Sequence, residues 1–380
     1  MTCVFKRAPY DDWYFDLYQK INHVLPTGAE SYYLWSVDEA WDELVSIKFK
    51  SNVVFLLILD SLHFRVEYDP SLQQLTDRAI TLHDIFTQNS DIKFIVSTSF
   101  DNLQAEISLP NVTFLCHGNL HTNPVDAQTL SIDKNSTVSN TFICLNRMMK
   151  MHRFITVSYM LGQNLENFGH ISFDSNAVNS YNSWLDKCNW QLTPYQEQTH
   201  APILHHGFAK IKKMGADLGQ SLQEVNAIYS STSDYNNNAL NFEQNLKKLY
   251  QDSFVQIITE AVFSEPTVMP SEKTAQCFYG ANFPIIIGNA GVVKHLRQVG
   301  FDMFDDIIDH SYDKQVNRLT RITSAIDANI KILTDIDYAK EKWHECALRF
   351  QNNMEFLNNG AASYYSSSVL DQIKKIFHND

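Results

Sequence analysis

The chain has 380 residues, enough for two ordinary domains, and its 44% hydrophobic and 19% charged residues exclude a disordered polypeptide. A formal charge of −13 argues against broad adhesion to nucleic acid or acidic membrane, while leaving room for a local basic groove. The longest apolar run, Val53–Leu59, is too short to span a bilayer, and the N-terminus has no apolar signal core, so a cytoplasmic protein without a membrane span is expected. Six scattered cysteines with no Cys-x-x-Cys pair read as small buried hydrophobes in a reducing compartment.

Residues 1–50 are aromatic-rich, with Trp13, Tyr14, Tyr18, Tyr32, Tyr33 and Trp35, and the spacing predicts helices near Tyr10–Val24 and Val37–Ser46. Core packing explains these aromatics better than a stacking platform does. From Ser51 the pattern alternates between strand and helix. The apolar run Val53–Leu59 ends at Asp60, and a helix over Pro70–Gln88 follows. Lys93–Ser97 and Val112–Cys116 are two further strands, the second ending at His117. Apolar strands joined by helical crossovers predict a parallel sheet, hence a Rossmann-like N-terminal domain over residues 1–135, although it lacks G-x-G-x-x-G.

The polar stretch Ser131–Asn140 is expected to be an interdomain linker. Thr141–Leu145 then opens a second Rossmann-like domain, residues 140–345. Its first strand runs into Asn146, Arg147, Lys150, His152 and Arg153 before a helix at Phe154–Leu161. Three permanent cations and a histidine at a strand-to-helix junction suit phosphate, because helix N-termini favour anions and arginine offers forked donors. A solvated basic helix end is the competing reading. Ile171–Phe173 and Phe254–Ile258 read as strands, the latter leading to Glu260, whereas His205 and His206 lack further ligands at metal-binding spacing. Ser271–Glu272–Lys273–Thr274 precedes an amphipathic helix, and the strand Phe283–Ile287 stops at Gly288–Asn289–Ala290–Gly291. A helix carrying Val292, Val293, Leu296 and Val299 follows. In open α/β sheets ligands bind outside the carboxyl ends of the strands, so Glu272, Lys273 and the Gly288 turn should share one crevice. Helices are expected over Val316–Leu333, Tyr338–Leu357 and Ser367–Phe377.

Ser-Glu-Lys-Thr at 271–274, Phe-Pro-Ile-Ile-Ile-Gly at 283–288, then Leu296-Arg297, Gly300-Phe301, Phe304-Asp305, Asp309 and Ser311-Tyr312-Asp313 stand in the order found in a glycosyltransferase group. That group, frequent in phage and bacterial genomes, is distantly similar to fucosyltransferases, in which a (T/S)-E-K turn precedes a P-(I/F)-(I/V)-x-G strand. The group also shows N-R-x-x-R-x-H-R after a strand; this chain resembles it over Asn146–Arg153, with Met148 and Met149 where Arg or Pro often stands. The resemblance covers the C-terminal half and hardly touches the N-terminal third. It implies an α/β fold of the GT-B type, with two Rossmann-like domains facing a central cleft and C-terminal helices. Residues 346–380 would then be a helical tail packing back on the N-terminal domain.

Glycosyl transfer needs the leaving diphosphate stabilised, the nucleoside anchored and the acceptor hydroxyl deprotonated. Lys273, Arg147 and Arg153 are the candidates for a UDP- or GDP-linked donor, with Asn146, Glu260, Ser271, Thr274 and Gly288 completing the donor site. By resemblance Glu272 takes the ribose hydroxyls, though it could equally cap the helix behind Ser271. Gly288 either allows close approach of the donor or simply makes a turn. No Asp-x-Asp stands between apolar runs, so no metal is expected. Asp60 and His117, at strand ends of the first domain, are the candidates for the base, or are structural. The acceptor could be a glycan or a hydroxymethylated base of phage DNA, with Lys48, Lys50, Arg65, Lys210, Lys212 and Lys213 as backbone contacts. The alternative is a non-catalytic binding protein on a degenerate transferase fold.

Overall fold

The computed structural model describes residues 2–4, 12–34, 44–58, 77–98, 108–116, 134, 138–146, 150–173, 198–211, 213, 247–261, 263, 268 and 270–378. The chain divides into two compact units. The first comprises residues 1–119, 264–269 and 360–380, and the second residues 120–263 and 270–359.

The first unit is built on five parallel strands in sequential order: β1 (Thr2–Val4), β2 (Glu30–Leu34), β3 (Val53–Ile58), β4 (Lys93–Thr98) and β5 (Val112–Cys116). The central strands β3 and β4 are buried from their second residue onward because helices cover both faces. On one face Phe55, Leu57, Ile95 and Leu115 meet Leu17, Tyr18 and Ile21 of the helix Asp12–Val24, together with Val369 and Ile373 of the helix Ala361–His378. On the other, Phe94 packs against Phe86 of the helix Asp77–Gln88 at 4.9 Å between ring centroids. Each such fully buried side chain contributes about 1.5–3 kcal/mol.

The second unit carries four parallel strands in the order β7-β6-β8-β9, where β6 is Asn140–Cys144, β7 Gly169–Ile171, β8 Ser253–Thr259 and β9 Phe283–Ile287. The order explains a proline inside an apolar strand. β9 lies at the edge of the sheet, and Glu260 N donates to Ile287 O at 2.9 Å, so odd-numbered residues of β9 face β8. Pro284 and Ile286 face outward, where a missing N–H costs nothing. The outward N–H of Ile286 is not left bare: it donates to the buried Tyr312 hydroxyl at 2.8 Å. That hydroxyl also lies 3.1 Å from His310 Nδ1, and His310 Nε2 lies 2.8 Å from Met303 O. A carbonyl only accepts, so Nε2 carries the proton and Nδ1 accepts from Tyr312.

Several expectations change. β1 and β2 were not foreseen, because a three-residue strand has no legible period and Tyr32 reads as a core aromatic. The helix at 201–211 was likewise missed in a segment without clear punctuation. The expected linker Ser131–Asn140 is no free tether: Lys134 is 1% exposed and donates from Nζ to Ser253 O (2.6 Å) and Ala281 O (3.0 Å). The helix expected over Val316–Leu333 is two, Arg318–Asp327 and Ile330–Thr334, and Val316 is 87% exposed and off the apolar face. Tyr338–Leu357 likewise divides at Cys346 into Ile336–Glu345 and Ala347–Asn359, both within the second unit. Of the expected tail 346–380, only the part from residue 360 onward joins the first unit, where the terminal helix packs on the helix Asp12–Val24.

Candidate functional site

Glu260 ends β8 and is wholly buried. A buried carboxylate must have its lone pairs filled. Glu260 accepts from Ser271 N (3.1 and 3.2 Å to its two oxygens), from Ala261 N (3.2 Å) and from the Thr274 hydroxyl (2.5 Å). It thereby ties the carboxyl end of β8 to the first turn of the helix Glu272–Tyr279. Ser271 is that helix's N-cap, its hydroxyl accepting from Lys273 N at 3.3 Å. Gly288, at the end of β9, completes the clasp, since a Cβ there would stand 3.1 Å from Glu260 Cγ. Its smallness makes room for the carboxylate stem.

Asn146 does the same work at the end of β6. Its Oδ1 accepts from the Thr259 hydroxyl (2.6 Å), its Nδ2 donates to Ser172 O (3.2 Å), and its backbone N–H donates to Ser172 Oγ (3.0 Å). The carboxyl edge of the sheet is therefore laced together before any ligand is considered.

Positive charge collects on this edge. Lys150 Nζ donates to Ala261 O at 2.6 Å, and Arg153 Nη2 to Glu260 O at 3.3 Å. His152 Nε2 donates to the same Glu260 carbonyl at 2.9 Å, and its ring stacks on Phe263 with centroids 4.8 Å apart. Burial pushes the His152 imidazole well below its usual pKa, and the charges of Arg153, Lys150 and Lys273 press in the same direction. Histidine here is neutral because it is buried among cations. Arg321, which the sequence reading missed, lies over the Phe263 ring at 4.6 Å and donates to Phe263 O (3.3 Å) and Gln315 O (2.5 Å). Burial lowers its guanidinium to about 10. No sequence signal distinguishes Arg321 from any arginine of an amphipathic helix, because its partners are backbone carbonyls, one of them in the distant segment at Phe263.

Of the expected donor set, Asn146, Arg153, Glu260, Ser271, Thr274 and Gly288 do meet, but as a buried frame in which the Glu260 carboxylate takes Ser271 N and the Thr274 hydroxyl, and Asn146 takes the Thr259 hydroxyl. Lys273 is half-buried at the second position of the helix. Glu272 opens that helix; its side chain, together with Arg147, Asp60 and His117, lies outside what the structure describes. The turn after Gly288 leads into a helix that is already capped. Asp313 accepts from Val293 N (3.1 Å) and Lys294 N (3.0 Å), so the N-terminus of the helix Val292–Val299 is already capped by a carboxylate. Gly291, at φ 90°, makes the left-handed step into that helix and donates to Asp313 O. The Ser311-Tyr312-Asp313 run thus has structural roles, in Tyr312 on β9 and Asp313 on the helix.

Among the candidates for nucleic-acid contact, Lys48 and Lys50 are exposed, whereas Lys210 is paired with Glu166 and with Asn164 Oδ1. Arg65 and Lys212 lie outside the described residues. His205 and His206 are exposed on the helix at 201–211. Among the described residues, no three His, Cys, Asp or Glu side chains gather as a metal site, and no helix is long and apolar enough to cross a membrane. Cys144, Cys277 and Cys346 are buried and unpaired, with burial pushing the Cys144 thiol up to about 12. What the described residues show as a class is an α/β protein with two all-parallel sheets; the chain matches no family model, no curated protein and no solved structure.

Proposed function

We propose that the chain is a glycosyltransferase of the GT-B type, with a nucleotide-sugar donor held on the second unit and the acceptor on the first. The observation that carries this reading is the gathering of Lys150, Arg153 and Lys273 around His152 at the carboxyl edge of a parallel sheet. The nearest buried carboxylate, Glu260, is already saturated by Ser271, Ala261 and Thr274. Carboxyl edges of such sheets are where ligands bind, and an excess of fixed cations there suits a diphosphate.

In the reaction the acceptor hydroxyl oxygen forms a bond to the anomeric carbon, the bond from that carbon to the diphosphate oxygen breaks, and the hydroxyl proton passes to a base. Negative charge grows on the diphosphate as its bond breaks, and Lys273, with Arg147 as a second cation of the expected donor set, would stabilise it without a metal. Glu272, first in the helix, would take the ribose hydroxyls. Asp60 and His117 stay the candidates for the base, and a glycan or a modified DNA base the acceptor.

The test is a thermal-shift panel of UDP, GDP, CMP, ADP and their sugars, with and without Mn²⁺, on the wild type and Lys273→Ala. One nucleotide class should stabilise the wild type without metal, by about 4 kcal/mol at about a thousand times its Kd. The effect should vanish in Lys273→Ala. No response to any nucleotide would sink the reading.

A further inference from the structure

A second polar site lies in the same unit. The helix Val292–Val299 and the segment 305–314 line an open depression of about 640 Å³, within the range that small-molecule sites occupy. The acids on its wall are already engaged. Asp313 caps the helix through Val293 N and Lys294 N, and Asp309 accepts from Ser311 N at 2.7 Å. Asp305 is paired with Arg297, and Asp306 with Arg349 at 2.8 Å. Burial and bonds to Tyr312 and Met303 occupy both nitrogens of His310. Lys294 and Lys314 differ: both are exposed on the wall, and neither forms an ion pair with a carboxylate among the described residues.

Among the described residues the lining carries no Phe, Tyr or Trp, so these offer no platform on which a nucleobase could stack. What it offers is two ammonium groups for an oxyanion, and the Asp309 carboxylate, already tied to Ser311, whose remaining lone pairs can accept from ligand hydroxyls. A bare phosphate would leave most of the volume empty. We propose that this depression binds a phosphorylated sugar or polyol, its phosphate held between Lys294 and Lys314. The site is distinct from the cationic edge around His152, and Lys273 has no part in its wall.

Titration calorimetry of the full chain with glucose 1-phosphate, orthophosphate and glucose tests this. The wild type should bind glucose 1-phosphate more tightly than either orthophosphate or glucose. A charge-assisted contact of this kind is worth about tenfold, so Lys294→Ala with Lys314→Ala should weaken binding about a hundredfold. Both side chains are exposed, so the variant should melt like the wild type, and Lys294→Arg with Lys314→Arg should retain binding. Lys273→Ala should leave it unchanged, which separates this site from the nucleotide response. Absence of binding to the wild type at millimolar ligand, equal binding by the double alanine variant, or loss of binding in Lys273→Ala would each overturn the assignment.

Discussion

Glu260 shows how a residue can be singled out for one reason and matter for another. Its place at a strand's carboxyl end suggests ligand contact, yet its carboxylate is spent on Ser271 N, Ala261 N and the Thr274 hydroxyl. Removing it strands a buried N–H and a buried hydroxyl, so Glu260→Ala should lower stability by about 2–4 kcal/mol in urea unfolding. The nucleotide response should weaken with it, because the Ser271–Thr274 turn loses its anchor. A loss under about 1 kcal/mol would show that the turn stands without Glu260. The sequence made this residue visible but not its role. Spacing shows that Ser271 can cap a helix and that Glu260 follows an apolar strand. That the two meet across an eleven-residue separation depends on how β8 and the helix Glu272–Tyr279 lie in the sheet. Arg321 was illegible for the same reason, since its bonds go to the carbonyls of Phe263 and Gln315.

At the scale of elements, the apolar strands were legible because burial on both faces writes a continuous hydrophobic run: β5 and β9 match their expected ranges, and β3, β4, β6 and β8 fall within about two residues of theirs. Helix contacts leave a fainter trace. The helix Met151–Gly162 and the helix at 201–211 approach backbone to backbone. A Cβ at Gly207 would stand 1.7 Å from Ser158 O, and one at Gly162 2.1 Å from Ile203 O. Two glycines 45 positions apart carry no period that a sequence reading could find. In an open helix, Gly→Ala stabilises by roughly 1 kcal/mol. Here the clash is with a carbonyl oxygen that cannot rotate away, and overpacking costs about 1–3 kcal/mol or more. Gly207→Ala should therefore destabilise the second unit by about 2 kcal/mol net, read from the urea midpoint. A gain in stability would mean the helices do not touch there. Tyr312→Phe should also cost about 1–3 kcal/mol by stripping the partner from the buried Ile286 N–H at the edge of β9.

The whole molecule should answer acid in two steps. The two buried histidines and the carboxylates held by Arg349 and by the Ser311 N–H belong to the second unit. His152 and His310 are held below the usual histidine value, chiefly by burial, so both are neutral in the fold. The unfolded chain takes up those protons near pH 6.5. Stability of the second unit is thus complete above about pH 6.5 and falls as pH drops toward the folded-state values, by up to about 1.4 kcal/mol per pH unit for each histidine. A second loss comes later. The Arg349 guanidinium holds Asp302 and Asp306 below the usual carboxylate range, and the Ser311 N–H does so for Asp309. Their contribution is present above about pH 4 and disappears as pH falls through the folded-state values. These carboxylates are partly exposed, so screening keeps that second step small. Hydrogen exchange followed segment by segment from pH 8 to pH 4 should show β6, β8 and β9 losing protection first, while β3 and β4 hold. His310→Gln should remove one proton's share of the slope below pH 6.5 while lowering stability at pH 8, because the Tyr312 hydroxyl loses its acceptor. Simultaneous loss of protection in both sheets would show instead that the two units unfold as one, whatever the local titrations do.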